Sequence, residues 1–475
     1  MTRLWGEQAD AALHRGNRVP ALRALSDAES ITPAATLATA FVLGMPVTER
    51  DLAAALPTLG VDDAVSVKLV DRGENLVRPL VDLRPYSFVD ANGVVSWWIA
   101  SDLGELSVGG ALREDHVLGV GGASTTLSGL MIGTQVDSAL DLGTGCGIQA
   151  MHAARHAGRV VATDISERAL EFARFNAQLN RIENIEFRLG SLFDPVAGER
   201  FGRIVSNPPF VITPRSDGVP AYEYRDGGLI GDALVSSVIA GAARHLEPGG
   251  VAQLLGNWEY RDGTDGLDRV GAWIDDSGLD GWAIERELQD VALYSETWIR
   301  DGGTRPGAEF DRLYNAWLDD FAARGVTGVG LGYLTLRAPR SSVTLRRLER
   351  LDGAVGTGLG PQVAATLEAH DRQSSIADDE LARLVLTVAR DVTEERHYWP
   401  GDEDPTVMTL RQGGGFGRSF PLDTGLAALV GACDGELSVR AIIGAIAQLL
   451  EVDERALSEQ LLPSIRELIE TGFLA

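Results

Sequence analysis

Residues 138–151, Ser-Ala-Leu-Asp-Leu-Gly-Thr-Gly-Cys-Gly-Ile-Gln-Ala-Met, decide the fold. An apolar run ends at Asp141-Leu142, glycines follow at alternate positions (Gly143, Gly145, Gly147), and a helical pattern begins at once. Glycines let a turn bring its backbone close to a ligand. The N-terminus of the following helix adds free N–H groups and the positive end of a dipole. A dinucleotide site uses the same geometry for pyrophosphate, so the turn alone does not choose the ligand. Two carboxylates do. Asp141 stands directly before the glycines, where it repels a pyrophosphate and suits a cationic amino-acid group. Asp164 ends the next apolar run, Val-Val-Ala-Thr-Asp (160–164), where a carboxylate accepts the hydroxyls of a ribose. Adenosine joined to methionine satisfies both. The expected cofactor is S-adenosyl-L-methionine, and no metal is required.

Outward from this turn, residues 121–340 alternate strand and helix. The helical stretches are GIQAMHAARHA (147–157), SERALEFARFNAQLN (166–180), GDALVSSVIAGAARHL (231–246) and FDRLYNAWLDDFAAR (310–324). Between and after them, IEFRLGS, FGRIVSN, VAQLLGNW and VGLGYLTLR read as strands, and Pro248-Gly249-Gly250 stops the third helix. Such alternation implies an α/β fold with a mostly parallel sheet covered on both faces. Thr125, in the Gly-rich stretch GVGGASTTLSG (119–129) before the first strand, could sit over the cofactor; the alternative is that the stretch is simply a flexible lid.

The second informative stretch is Asn207-Pro208-Pro209-Phe210, at the end of the strand FGRIVS. An amide or exocyclic amine nitrogen is a poor nucleophile because its lone pair is delocalised. The side-chain carbonyl of Asn207 and the backbone carbonyl of Pro208 can accept its two N–H bonds. Those acceptors aim the lone pair and stabilise positive charge developing on nitrogen. The prolines remove N–H donors and fix the carbonyl direction, and Phe210 offers a face for stacking on a planar group. Methyl transfer is then an in-line displacement in which positioning contributes most of the rate.

The D-L-G-T-G-C-G turn resembles the first motif of class I methyltransferases. The Asn-Pro-Pro-Phe motif resembles that of N-methyltransferases acting on glutamine amides, adenine N6 or guanine N2. The resemblance covers residues 115–260 and implies a Rossmann-like seven-stranded domain. It further implies that Asp141, Gly143, Thr144, Gly145 and Gly147 line the methionine end of the cofactor. Asp164 and Asn207 would also touch it, with Ile165 packing on the adenine and the Gly190-Ser191-Leu192-Phe193 turn bordering the adenine amine. Many relatives have an acidic residue where Ser191 stands. Downstream, Ala221-Tyr222-Glu223-Tyr224-Arg225-Asp226-Gly227-Gly228 resembles the segment that shapes the acceptor pocket in release-factor-type glutamine N5-methyltransferases. By that likeness Tyr222, Glu223 and Phe210 would touch the substrate. Those enzymes begin with a helical bundle, whereas strands are expected ahead of the catalytic domain here.

The flanks are mainly helical. In residues 1–120, ATLATAFVLGM (35–45) reads as a buried helix, and Thr48 to Asp51 open a second one with Thr48 as N-cap. Beyond Gly60 the alternation in VSVKLV, VRPLVDL and VVSWWIA reads as strands. Helices followed by a β-ribbon outline a winged helix. In residues 341–475, QSSIADDELARLVL reads as one helix, GGGFG (413–417) as a tight turn and GDEDP (401–405) as a loop. Three further helices suggest a second winged-helix module, whose tail faintly resembles small winged helices that hold peptide leaders. Three domains are expected: 1–120, 121–340 and 341–475.

The formal charge is −26, divided as −6, −10 and −10 over those three segments. Nucleic-acid binding is dominated by phosphate neutralisation, so acidity throughout disfavours it, although Arg340, Arg346, Arg347 and Arg350 form one basic cluster, expected on the solvated face of a helix. Two cysteines, Cys146 and Cys433, make neither a disulfide framework nor metal-ligand spacing. The start of the chain has no signal pattern and no apolar run spans a membrane, so a cytoplasmic location is expected. His152 and His156, four apart, read as a packing or surface pair, and Trp97, Trp98 and Trp298 as packing. The expected function is methyl transfer to a planar nitrogen, foremost a glutamine-type amide of a protein or peptide. A base amine in RNA or DNA is the alternative. A regulatory protein that binds cofactor without catalysis is the third reading, and intact Asn207 and Asp164 argue against it. The sequence gives no reading of oligomeric state.

Overall fold

A computed structural model describes residues 2–26, 32–90, 93–108, 112–353, 356 and 358–475. The chain divides into two compact units: Met1–Leu127, Gln135–Ala283 and Glu287–Arg340 form the first, and Ser128–Thr134, Ile284–Arg286 and Ser341–Ala475 the second.

The central sheet is built from β1 (Val136–Leu142), β2 (Ala157–Asp164), β3 (Ile185–Leu189), β4 (Phe201–Ser206), β5 (Leu246–Arg261), β6 (Asp280–Asp290) and β7 (Val326–Arg337). These strands lie in the order β3-β2-β1-β4-β5-β7-β6. Strands β1 to β5 run parallel, and β7 runs antiparallel to β5. Ala139, Leu140, Val160, Val161, Ile204 and Val205 are all fully buried. That is why these strands read as continuous apolar runs rather than alternating ones. The helices are α1 (Ile148–Ala153), α2 (Glu167–Leu179), α3 (Ala233–His245), α4 (Gly266–Ser277), α5 (Val291–Asp301) and α6 (Ala308–Ala323). This is the Rossmann-like α/β architecture. The strand order reverses between β1 and β4, and the crevice at the carboxyl ends of the strands beside such a switch point is where open α/β sheets bind ligands. Leu142 on β1 is in register with Ser206 on β4, so the glycine turn and Asn207 leave the sheet side by side.

Before this sheet the first unit carries helices Pro33–Phe41, Glu49–Ala55 and Gly60–Ser66 and a small sheet of Val47–Thr48, Leu76–Pro79 and Val70–Arg72. Phe41, Leu52, Val61, Val70 and Val77 form its core. Thr48 caps the second helix by accepting the Asp51 N–H at 3.1 Å. A hairpin, Val81–Asp90 with Gly93–Asp102, then lies against α2. Asn176, wholly buried, accepts the Ala100 N–H at 2.7 Å and donates to the carbonyls of Ala100 and Cys146. One side chain thereby ties the hairpin to the glycine turn.

The second unit holds the helices Gly360–Ser375, Thr424–Gly431, Val439–Leu450 and Glu454–Glu470 and a three-stranded meander, Val392–His397, Val407–Gln412 and Ser419–Leu422. Leu429, Val439, Ile443, Leu461, Ile465 and Leu468 make its core.

Four sequence expectations are corrected. VSVKLV is not a strand: Val65 and Ser66 end the helix Gly60–Ser66, and only Val70 begins a strand. The buried pair Val61 and Ala64, three apart, was the helical signal. QSSIADDELARLVL is not one helix. The first helix stops at Ser375, where Ile376 turns extended, a short helix covers Asp378–Leu381, and Val385–Thr387 is a strand. Arg466 donates to the Ile376 carbonyl and to Asp378 across that break, a long-range cause that no local glycine or proline announces. GVGGASTTLSG is mostly the helix Gly122–Leu130 rather than a lid, and Thr125 turns its hydroxyl back to the Gly121 carbonyl at 3.1 Å. Arg346 to Arg350 form a strand, not a helix face, and Arg347 lies among Glu349, Glu467 and Glu470.

Candidate active site

The glycine turn is shaped by backbone conformation first. Gly143, Gly145 and Gly147 all have positive φ, at 75°, 55° and 89°. At Gly147 a Cβ would also meet the Ala173 Cα at 3.0 Å, because α2 packs directly on the turn. A Cβ at Gly143 or Gly145 would meet nothing within 4 Å, so those two present open backbone to the crevice. The turn is latched to β2 by the N–H groups of Gly143 and Thr144, which both donate to the Thr163 carbonyl at 2.9 Å.

Asp141 is fully buried beneath the turn. Its Oδ2 accepts the Thr144 hydroxyl at 2.6 Å, while its Oδ1 is buried without a partner. Burial pushes this carboxyl up to about 7, against the Thr144 hydroxyl and the Ala150 N–H, and nearby Asp164 pushes the same way. A buried carboxylate oxygen with no donor fits a cationic ammonium group, which would restore its ionised form. Thr144 is thus placed to orient Asp141 rather than to face the crevice.

Asp164 closes β2. Its Oδ2 accepts the Gly145 N–H at 2.8 Å and its Oδ1 the Ser166 N–H at 2.9 Å. Each oxygen keeps a lone pair for a hydroxyl. Burial raises its pKa above the usual range, opposed by those backbone donors, and the neighbouring Glu223 carboxylate raises it further. Ile165 follows with 66% of its surface exposed, an apolar face beside the Asp164 carboxylate. Leu189 pairs with Asp164 across the sheet, which brings the next turn alongside. There Ser191 is exposed and Leu192 takes a positive φ of 46°. Phe193 turns inward and stacks on His245.

On the other side of the crevice stands Asn207. Its Oδ1 is buried and has no hydrogen-bond partner. The Phe210 N–H donates to the Pro208 carbonyl at 2.7 Å, a tight turn that aims that carbonyl and occupies one of its lone pairs. Pro209 and Phe210 are half-buried, and Phe210 packs against the buried cluster that includes Val211, Ile212 and Tyr294. The segment expected to shape the acceptor pocket lies against this motif: Val211 N–H donates to the Arg225 carbonyl at 2.8 Å, and Phe210 bridges Asp226. Tyr222 is a support there. It is 4% exposed, its hydroxyl donates to the Gly302 carbonyl at 3.2 Å, and the Arg225 guanidinium lies 4.6 Å from its ring centre. Glu223 is the exposed member of the pair, fixed by its N–H to the Glu114 carbonyl at 2.9 Å.

Further polar groups near the motif come from distant strands and helices. The Tyr294 hydroxyl, fully buried on α5, accepts the Ile212 N–H at 3.0 Å and the Asn257 amide at 2.8 Å. Asn257 Oδ1 and Thr213 Oγ1 are buried without partners. Asn257 alone had a signal, an asparagine in the mainly apolar strand VAQLLGNW, which the reading of that strand passed over. His152 lies apart from the crevice, buried against Tyr86, Phe88 and Trp97, and burial lowers its pKa to about 3. Among the described residues no group of three or more His, Cys, Asp or Glu side chains could hold a metal ion, and no helix is long and apolar enough to cross a membrane.

Residues 122–262 match the family model described as a methyltransferase small domain, and residues 1–80 and 367–475 each match a model described as a domain of unknown function. The chain is 38% identical over 128 residues to the release factor glutamine methyltransferase of Xylella fastidiosa, covering 25% of this chain and 46% of that protein. It is 44% identical over 77 residues to the protein of that name from Aliivibrio fischeri, 16% of this chain and 27% of that one. To the ribosomal protein uL3 glutamine methyltransferase of Bradyrhizobium diazoefficiens it is 34% identical over 151 residues, 30% and 46%. The chain thus spans less than half the length of these curated relatives. Its central segment is a methyltransferase domain.

Proposed function

We propose that this chain transfers a methyl group from S-adenosyl-L-methionine to the side-chain amide nitrogen of a glutamine in a protein or peptide. The reading takes residues 121–340 as the catalytic domain, flanked by modules at 1–120 and 341–475. Asn207 Oδ1, a buried acceptor with no partner at the mouth of β4, carries the reading. An unpaired buried carbonyl is expensive unless a ligand supplies the donor, and an amide N–H is such a donor. When bound, the cofactor supplies a sulfonium methyl group.

The residues of the chain do the rest by position. Asp141 holds a cationic amino group, Asp164 a pair of hydroxyls, and Ile165 with the Ser191-Leu192 turn flanks a flat apolar ring. Asn207 Oδ1 and the remaining lone pair of the Pro208 carbonyl hold both amide N–H groups. The nitrogen lone pair then stands perpendicular to the amide plane and points across the crevice. Phe210 stacks on that plane, and Glu223 closes the exposed side. The relatives named as glutamine methyltransferases support an amide over a base amine, and so does acidity in each third of the chain. Replacing Asn207 by Ala should leave cofactor affinity unchanged and cut turnover about 100-fold, the scale of losing one preorganised polar group. Full turnover in that variant would place the chemistry elsewhere in the crevice.

A further inference from the structure

A second cavity lies apart from the crevice just described. It has a volume of about 490 Å³ and lies in the first unit between the small N-terminal sheet, the hairpin and one side of α2. Neither Asp141, Asp164 nor Asn207 lines it. Its volume falls in the range of small-molecule sites. Its walls are mainly apolar. Phe172 and Phe175 on α2 are only half-buried there, and Leu80 and Val67 keep 44% and 50% of their surface exposed. An apolar cavity that leaves such side chains open forfeits burial that a fitting ligand would supply.

Charge distinguishes one side of it. Arg168 is paired with Asp102 and lies near Glu171, and Arg113 is paired with Asp115 at 2.7 Å. Lys68 also lines the cavity, is exposed, and has no carboxylate partner among the described residues. It is the sole lysine of the sequence, whose other basic residues are arginines. Its backbone is unusual as well. The helix Gly60–Ser66 ends with Lys68 N–H donating to the Val65 carbonyl and Leu69 N–H to the Ala64 carbonyl, both at 3.0 Å. Lys68 therefore occupies, at φ 58°, the left-handed closing position that glycine normally takes. A chain rich in glycine holds a lysine where glycine would be less strained, and its ammonium group is left over after every neighbouring arginine has been neutralised.

We propose that this cavity binds a small amphipathic carboxylate, with its hydrocarbon body against Phe172, Phe175 and Leu80 and its head group on Lys68. The inference is independent of the methyl-transfer reading. The test uses the full-length protein and three probes with the same ten-carbon body: decanoate, 1-decanol and decylamine. Calorimetry should show saturable binding of one decanoate, with 1-decanol and decylamine at least about tenfold weaker, as loss of one charged hydrogen bond implies. Lys68→Gly suits the backbone conformation, so its Tm should be unchanged or higher, while decanoate affinity falls about tenfold and 1-decanol affinity stays the same. Because Lys68 is the sole side-chain amine, its acetylation by an amine-reactive ester can be followed by peptide mass spectrometry, and decanoate should slow it where 1-decanol does not. Absence of saturable decanoate binding, equal affinity for decylamine, or undiminished decanoate affinity in Lys68→Gly would overturn the proposal.

Discussion

The two walls of the crevice are built differently. On the wall formed by β1 and β2, the functional atoms are held by backbone groups at the ends of those two adjoining strands. Asp164 accepts N–H groups from Gly145 and Ser166, and the glycine turn hangs from Thr163. On the wall formed by β4 and β5, the motif is short and its supports come from distant elements: Tyr294 reaches Ile212 from α5, and Asn257 on β5 donates to the same hydroxyl. Unpaired buried oxygens gather on this second wall, at Asn207, Thr213 and Asn257. The first wall is finished by its own local hydrogen bonds, apart from one oxygen of Asp141. On the proposed reading, the second is completed by a substrate. Binding of one invariant small molecule suits the first design, and recognition of a planar polar group presented by a larger molecule suits the second.

Substitutions can separate the walls. The largest split is the one expected from Asn207→Ala, about 100-fold in turnover with cofactor affinity intact. Next, Asp164→Ala should weaken cofactor binding about 30-fold by calorimetry, the scale of about 2 kcal/mol for hydrogen bonds to a charged group. Unchanged affinity would remove Asp164 from the ribose. A subtler probe is pH. With Asp141 raised to about 7, binding of a cationic group must favour its ionised form, so cofactor affinity should rise with pH up to about 7 and flatten above it. Asp141→Asn should weaken binding and abolish that slope; a persisting slope assigns it to another group. For the ligand-free protein the linkage sign is opposite in effect. The folded state binds this proton more tightly than the unfolded chain, so the Asp141 contribution favours folding at low pH and is lost as pH rises from about 4 to about 7.

Smaller effects test packing. Gly147→Ala forces a Cβ to 3.0 Å from Ala173 at φ 89° and should cost about 2 kcal/mol of stability by thermal unfolding. Tyr222→Phe removes one hydrogen bond to Gly302 and should cost about 1 kcal/mol of stability with little loss of turnover. A large loss of turnover at constant stability would give Tyr222 a direct contact with substrate.

The same contrast explains what was legible in the sequence. The first wall is contiguous: glycines at alternate positions, Asp141 before them and Asp164 at the end of the next strand fall into place once β1 and β2 pair. The sheet, too, follows from apolar runs alternating with amphipathic helices. Asn207-Pro208-Pro209-Phe210 was readable because its chemistry is local. Its neighbours were not, because Tyr294, Asn257 and Glu114 reach the site only through topology, more than 40 residues away along the chain. The break after Ser375 was hidden for the same reason, since Arg466 binds its open carbonyl from about 90 residues on. The cavity beside α2 left two traces: a solitary lysine and two phenylalanines three apart on that helix. Neither had meaning until the hairpin was placed against them.

One measurement tests the central claim most directly. Lysate from a strain lacking this protein is incubated with the purified chain and methyl-labelled cofactor, then divided between protease and nuclease, and labelled peptides are fragmented by mass spectrometry. The account predicts label that protease releases and nuclease does not, located on a glutamine side-chain nitrogen and absent when Asn207→Ala replaces the wild type. Label released by nuclease, or carried by a molecule that resists both treatments, would contradict it.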